Sequence, residues 1–177
     1  MFQKADDPVA LAVDLVNTWD ALEDPPELLR DVGALGRLLE RHGLGARRVT
    51  RADLGRARTL RDALRQAFEA ADEERAVAAL NRILLRSGAR PALERVGGDW
   101  RLSWSGPVVD ALASSTAMSL VEAIRDDGWE RFGRCAGSPC CCVFVDRSKN
   151  RSRRFCSDLC ADRVAQAALR ARRRVDR

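Results

Sequence analysis

The chain has 177 residues, of which 46% are hydrophobic and 32% are charged, and these values exclude a mostly disordered protein. No apolar run approaches the roughly 18 to 20 residues that a bilayer span requires, so we expect no contact with a membrane. Residues 1–8 contain Lys4, Asp6 and Asp7 and lack the apolar core of a signal peptide. The cytoplasm is therefore the expected location.

The net charge of +5 is unevenly distributed along the chain. Residues 1–146 contain 20 Lys+Arg and 23 Asp+Glu, a net of −3, whereas residues 147–177 contain 11 and 3, a net of +8. All six cysteines lie between positions 135 and 160. This asymmetry predicts a C-terminal module that contacts a polyanion, attached to a domain that does not. We divide the chain into residues 1–128 and 129–177.

Apolar residues at three- and four-residue spacing predict that the N-terminal domain is mostly α-helical. Asp31 is a predicted N-cap, and Thr50 with Asp53 resembles a capping box. Five helices are predicted, and they cover approximately residues 9–24, 31–43, 50–68, 73–87 and 107–124.

Residues 91–104 change to the alternating pattern of a β-hairpin, with Gly97 and Gly98 at the turn. Trp100, Leu102 and Trp104 share one face of the second strand. We interpret Trp100 and Trp104 as core of the hairpin, and a pocket lined by them stays open as an alternative.

The cysteines form two closely spaced pairs, Cys135-x4-Cys140 and Cys156-x3-Cys160, separated by fifteen residues. Two such pairs of thiolates suit tetrahedral Zn²⁺, because each pair chelates the metal from one turn of the chain. We therefore predict one zinc ion per chain with these four ligands. Cys141 or Cys142 in place of Cys140 stays open as an alternative, and a disulfide framework is disfavoured in a chain without an export signal.

The segment between the cysteine pairs predicts a second hairpin, with strands at 143–145 and 153–155 and a bend at 148–150. An alanine-rich helix then begins near Cys160 and continues to about residue 174, with its packed side predicted at Val164, Ala167, Ala168 and Ala171. The expected fold class is α+β: a mostly α-helical N-terminal domain with a small β-hairpin, plus a C-terminal treble-clef-like zinc finger of hairpin and helix.

Basic residues cluster on this finger, and Arg163, Arg170 and Arg174 share one helix face. We predict that this face enters the major groove of DNA while the remaining basic side chains bind phosphates. RNA, an acidic protein partner and a purely structural finger stay open as alternatives. The candidate nucleic-acid-binding residues are Arg147, Lys149, Arg151, Arg153, Arg154, Arg163, Arg170, Arg172, Arg173 and Arg174.

Two sequence motifs resemble known families. The run from Cys135 to Ser148, containing Phe-Val-Asp-Arg-Ser, resembles the CGNR zinc finger, whose namesake tetrapeptide corresponds here to Cys160-Ala161-Asp162-Arg163. Residues 11–18, Leu-Ala-Val-Asp-Leu-Val-Asn-Thr, are similar to the opening signature of the ABATE domain. The resemblance implies a bacterial transcription regulator, proposed to be stress-responsive, that binds DNA at the nucleoid through its finger.

Asp14, Asn17 and Thr18 lie in this second motif, at the end of the first predicted helix. They are candidates for a ligand pocket, although local hydrogen bonding at the helix end is the favoured interpretation. The N-terminal domain is expected to sense a small effector or to form a homodimer. An enzyme acting on nucleic acid is disfavoured, because the chain has one histidine, no tyrosine and no phosphate-binding glycine loop.

Overall fold

The computed structural model describes Asp7 and residues 9–44 and 48–175, and it confirms the α+β class. A 3-10 turn, Trp129–Arg131, joins the fifth helix to the third strand. No helix in these ranges is both long and apolar enough to cross a bilayer. In chain order the elements are α1 (Ala10–Val16), α2 (Val32–Arg41), α3 (Arg51–Phe68), α4 (Glu73–Arg86), β1 (Arg90–Val96), β2 (Asp99–Ser105), α5 (Val108–Asp127), β3 (Phe132–Arg134), β4 (Val143–Val145) and α6 (Asp158–Val175).

Side-chain caps mark the starts of α2, α3 and α4, and local sequence predicts the first two of them. The Asp31 carboxylate accepts a hydrogen bond from the Ala34 backbone N–H at 2.8 Å. Thr50 and Asp53 form the complete capping box, which confirms that prediction. α1 is shorter than predicted, since it ends at Val16 rather than continuing past Trp19 toward Pro25.

The hydrophobic core is built around α1, in which all seven residues are buried. α3 and α5 pack against it, and fully buried leucines such as Leu64 and Leu112 fill the interior. Phe132, Val143 and Val145 of the C-terminal region belong to the same core. The hydrophobic interior is therefore continuous across the sequence boundary that we predicted at residue 128.

The β1–β2 hairpin has the predicted register but not the predicted packing. Leu93 lies opposite Leu102, and Arg95 lies opposite Trp100. Trp100 is 65% exposed and Leu102 is 59% exposed, while Trp104 is partly buried. The prediction that Trp100 is core of the hairpin is therefore wrong. β2 packs on α5, and Leu93, Trp100 and Leu102 in the outer part of the ribbon are exposed.

The hairpin of the finger uses a different partner strand from the predicted one. β4 pairs antiparallel with β3, so Val143 lies opposite Arg134, and residues 153–155 form no strand. The predicted bend at 148–150 is confirmed. The 153–155 segment keeps only one backbone hydrogen bond to the knuckle, from Ala136 N–H to the Arg154 carbonyl at 2.9 Å. The treble-clef description stays a prediction.

The last helix, α6, carries Cys160 in its first turn, as predicted. Val164 is partly buried near the metal-binding cysteines, but Ala167, Ala168 and Ala171 are exposed. The prediction of a packed alanine side is therefore wrong beyond Val164. The second half of α6 projects from the body of the protein.

Candidate metal centre and nucleic-acid interface

Four cysteine thiols converge beside the β3–β4 hairpin. The Sγ atoms of Cys135, Cys140, Cys156 and Cys160 all lie within 4.8 Å of one another. The Cys140–Cys156 sulfur distance is 3.7 Å and the Cys156–Cys160 distance is 3.5 Å. Four thiolates at zinc–sulfur distances of about 2.3 Å in a tetrahedron have sulfurs about 3.8 Å apart. The donor set and its spacing therefore fit Zn²⁺.

Local backbone geometry holds each pair in place. Cys135 N–H donates to the Cys142 carbonyl at 2.9 Å, and Cys140 N–H donates to the Gly137 carbonyl at 2.7 Å, which closes the first knuckle. A Cβ at Gly137 would be in ordinary van der Waals contact with the Cys135 sulfur, at 3.5 Å. Cys160 N–H donates to the Ser157 carbonyl at 3.1 Å in the first turn of α6.

Burial opposes ionisation of the thiols until a metal binds. Burial raises the pKa of Cys140 and of Cys156, because a low-dielectric environment disfavours the charged thiolate. A divalent metal reverses this preference, since it binds the thiolate directly and displaces its proton. Four thiolate ligands leave no coordination position for a substrate, so the expected role of this zinc is structural.

Cys141 and Cys142 lie beside this cluster rather than within it. The Cys142 sulfur approaches Cys140 and a carboxylate oxygen of Asp20, and these three atoms also lie within 4.8 Å of one another. Burial raises the pKa of Cys142, and the nearby negative groups raise it further. The Cys141 sulfur points to the Trp19 carbonyl at 3.7 Å. The geometry thus favours Cys140 as the ligand.

Two of the candidate DNA-binding arginines support the metal centre instead. Arg163 Nη2 donates to the Cys160 sulfur at 3.0 Å. The Arg153 side chain donates to the carbonyls of Phe155 at 3.0 Å and Cys156 at 2.5 Å, with its guanidinium 4.7 Å from the centre of the Phe144 ring. A zinc ion with four thiolates carries net negative charge, and these guanidinium groups offset it.

Asp146 organises the loop between the two cysteine pairs, a role that our sequence analysis missed. Its buried carboxylate accepts hydrogen bonds from Ser148 N–H at 2.7 Å and Arg153 N–H at 2.9 Å. Burial opposes ionisation, but these hydrogen bonds outweigh it and hold the pKa of this carboxyl below its usual value. The Asp-Arg-Ser sequence is typical of an Asx turn and was the available signal.

Side chains of the helical domain bind the backbone of the finger directly. Asn17 Nδ2 donates to the Val143 carbonyl at 2.9 Å, and Val143 N–H donates to Asn17 Oδ1 at 2.7 Å. Arg65 of α3 donates to the carbonyls of Cys141 at 2.8 Å and Val16 at 2.9 Å. These contacts attach the first knuckle to α1 and α3.

The other members of the predicted pocket also have partners within the protein. An Asp14 carboxylate oxygen lies 2.9 Å from His42 Nε2, and both side chains are buried. Thr18 Oγ1 donates to the Leu15 carbonyl at 2.6 Å. With the Asn17 contacts, this arrangement supports local structural roles, and a ligand role for the three residues stays a prediction.

The remaining basic residues of the finger fall into two groups. Arg147 forms ion pairs with Asp7 at 3.0 Å and with Asp127, and Arg151 lies 3.7 Å from Glu130. Arg154 stacks over the Phe155 ring at 5.7 Å. The Arg174 side chain lies outside the described residues. The remaining basic side chains that are exposed and have no ion pair in the described part of the chain are Lys149, Arg154, Arg170, Arg172 and Arg173.

Comparison with known proteins agrees with this architecture. No curated protein matches the chain. The CGNR zinc finger profile matches residues 131–173, which include all four clustered cysteines. The ABATE profile, described as "Putative stress-induced transcription regulator", matches residues 9–127. The chain therefore belongs to the ABATE family and ends in a CGNR zinc finger that binds one zinc ion.

Proposed function

We propose that the protein is a zinc-dependent DNA-binding transcription regulator that acts at the bacterial nucleoid. Its N-terminal domain senses a small effector, and its finger contacts duplex DNA. The observation that carries this proposal is the form of α6, which is anchored at the metal by Cys160 and Arg163 and then projects with Arg170, Arg172 and Arg173 exposed.

The projecting half of α6 has the dimensions and charge that DNA recognition needs. The major groove is about 12 Å wide and admits one α-helix. Every described side chain from residue 165 to residue 173 is exposed, so a duplex can approach this segment without displacing other elements. Lys149, on the loop before the second cysteine pair, is exposed, and we assign it a contact with the phosphate backbone.

The same observations give less support to the two alternatives to DNA binding, a purely structural finger and a protein-binding adaptor. A purely structural finger leaves the unpaired arginines of α6 without a role. An adaptor that binds an acidic protein would use the same positive charge, and the experiment below separates it from DNA binding.

We also propose that the protein is not an enzyme, because four thiolates fill the coordination shell of the metal. The exposed β1–β2 face containing Leu93, Trp100 and Leu102 is where we expect a homodimer contact.

The test is the salt dependence of binding to a labelled, mixed-sequence 30-base-pair duplex. In the zinc-loaded full chain we expect the triple variant Arg170→Ala, Arg172→Ala and Arg173→Ala to bind more weakly. Each phosphate contact contributes about 0.9 to the slope of log affinity against log salt. The slope should therefore fall by about 2 to 3.

A matched triple variant of the helical domain controls for the change in net charge. Arg37, Arg48 and Arg101 are exposed, and their replacement by Ala removes the same three charges. We expect this variant to keep the wild-type slope within about 0.5. Equal loss in both variants would refute α6 as the DNA-binding element, and an unchanged slope in the α6 variant would favour the adaptor.

A further inference from the structure

A groove between α3, α4 and α5 forms a cavity on the helical domain, and it lies apart from the predicted pocket at Asp14. Its volume is about 760 Å³, within the range of small-molecule sites. A second cavity of about 430 Å³ shares Gln66, Ala79 and Arg82 with it. The two cavities adjoin at these three residues.

Small residues on α3 create the groove. Gly55, Thr59 and Ala63 follow one another at four-residue spacing along one side of α3, and all three line the cavity. A Cβ at Gly55 would meet no atom within 4 Å. The floor is apolar, since Leu60 and Ile83 are buried beneath it. The helices are therefore in contact at the apolar floor of the groove and separated at its solvent-exposed mouth.

The charges around the groove leave an excess of unpaired cations. Of the two acidic residues on its wall, Asp110 accepts a hydrogen bond from Arg56 at 2.5 Å and Asp62 accepts one from Arg61 at 3.1 Å. Arg82 and Arg86 are one helical turn apart on α4 and have no ion pair within the described residues. Two adjacent guanidinium groups suit a carboxylate or sulfonate.

We propose that this groove binds an amphipathic organic anion. The apolar body of the ligand lies on Leu60 and Ile83, and its anionic group contacts Arg82 and Arg86. The proposal deepens the effector-sensing part of the proposed function and rests on it for its biological meaning. α3 also carries Arg65, which binds the first knuckle of the finger, so an occupied groove and the metal centre share one helix.

The test uses 8-anilinonaphthalene-1-sulfonate, an aromatic sulfonate whose fluorescence rises in apolar surroundings. We expect saturable binding of one probe to the zinc-loaded full chain. Decanoate should displace the probe, and 1-decanol, which has the same chain without the charge, should not. Absence of saturable binding, or equal displacement by the alcohol, would overturn the proposal.

Two variants place the probe in the groove. Gly55→Leu fills the open space, and we expect at least a tenfold weaker affinity without loss of thermal stability, since leucine is a better helix former than glycine. Gly36→Leu is the matched control: Gly36 is also helical and its added Cβ also meets nothing within 4 Å, but it lies outside the groove. Equal affinity in Gly55→Leu and Gly36→Leu would refute the site.

A charge variant keeps the proposal testable if Gly55→Leu unfolds. Replacing Arg82 and Arg86 together with Ala removes two exposed side chains, and we expect at least a tenfold weaker probe affinity. Wild-type affinity would overturn the proposed anion contact. These titrations contain no DNA, so a negative result counts against the groove as an anion site and leaves the proposed DNA binding by α6 unaffected.

Discussion

The contact between Asn17 and Val143 provides a quantitative test of how the finger is attached to the helical domain. Asn17→Ala removes both hydrogen bonds to the Val143 backbone, whose residue is 1% exposed. Each buried backbone group left without a partner costs about 1 to 3 kcal/mol. Asn17 is partly buried, so water restores some of this loss, and we expect a decrease of about 2 to 4 kcal/mol in the free energy of unfolding.

Urea unfolding in constant excess zinc, followed by tryptophan fluorescence, measures this change. Asn81→Ala is the control, because Asn81 is an exposed residue of α4, and its replacement should alter the free energy by less than about 0.5 kcal/mol. Because the core is continuous from α1 to β4, we also expect one unfolding transition. A cost below about 1 kcal/mol for Asn17→Ala, or separate transitions of the two regions, would refute this description of the attachment.

Two further predictions concern the metal and the helix caps. Cys156→Ser should reduce the zinc content, measured by elemental analysis, to well below one ion per chain. The control variant Cys141→Ser should keep one zinc ion per chain. A wild-type zinc content in Cys156→Ser would contradict the ligand set. The Thr50 hydrogen bonds lower the pKa of Asp53 from 3.8, so its stabilisation is complete above that value and is lost as the pH falls through the lower folded pKa. Asp53→Ala should therefore cost about 0.5 to 1 kcal/mol at pH 7 and progressively less in acid; a pH-independent cost in urea titrations would contradict this.

Local sequence predicted the features that depend on neighbouring residues. The caps of α2 and α3 follow from side chains three residues from the groups they bind, and the cysteine spacing determines which thiols a single ion can reach. The partner of β4 could not be predicted in the same way. Residues 132–134 and 153–155 are both short segments that contain one phenylalanine, and only the three-dimensional packing selects the first.

Long-range contacts account for most of what the sequence analysis missed. Asn17 binds Val143 across 126 positions, and Arg65 binds Cys141 across 76. The periodicity of the sequence does not reveal these distant partners, because a polar side chain at either position is equally compatible with a helix end or a solvent-exposed helix face. The exposed position of Trp100 has a related cause. Alternation shows which residues share a face of a hairpin, and the position of the hairpin decides whether that face is covered.

Part of the positive charge that the sequence shows in the C-terminal region is paired within the protein. Arg147 is neutralised by Asp7 and Asp127 of the helical domain, while Arg153 and Arg163 offset the negative charge of the metal centre. The net +8 of residues 147–177 therefore overstates the charge available to a partner. What remains exposed and unpaired lies mainly on the projecting half of α6, away from the first 146 residues, whose net charge of −3 repels phosphates. Under the proposed function, this distribution of charge directs a duplex to the end of the finger rather than to the helical domain.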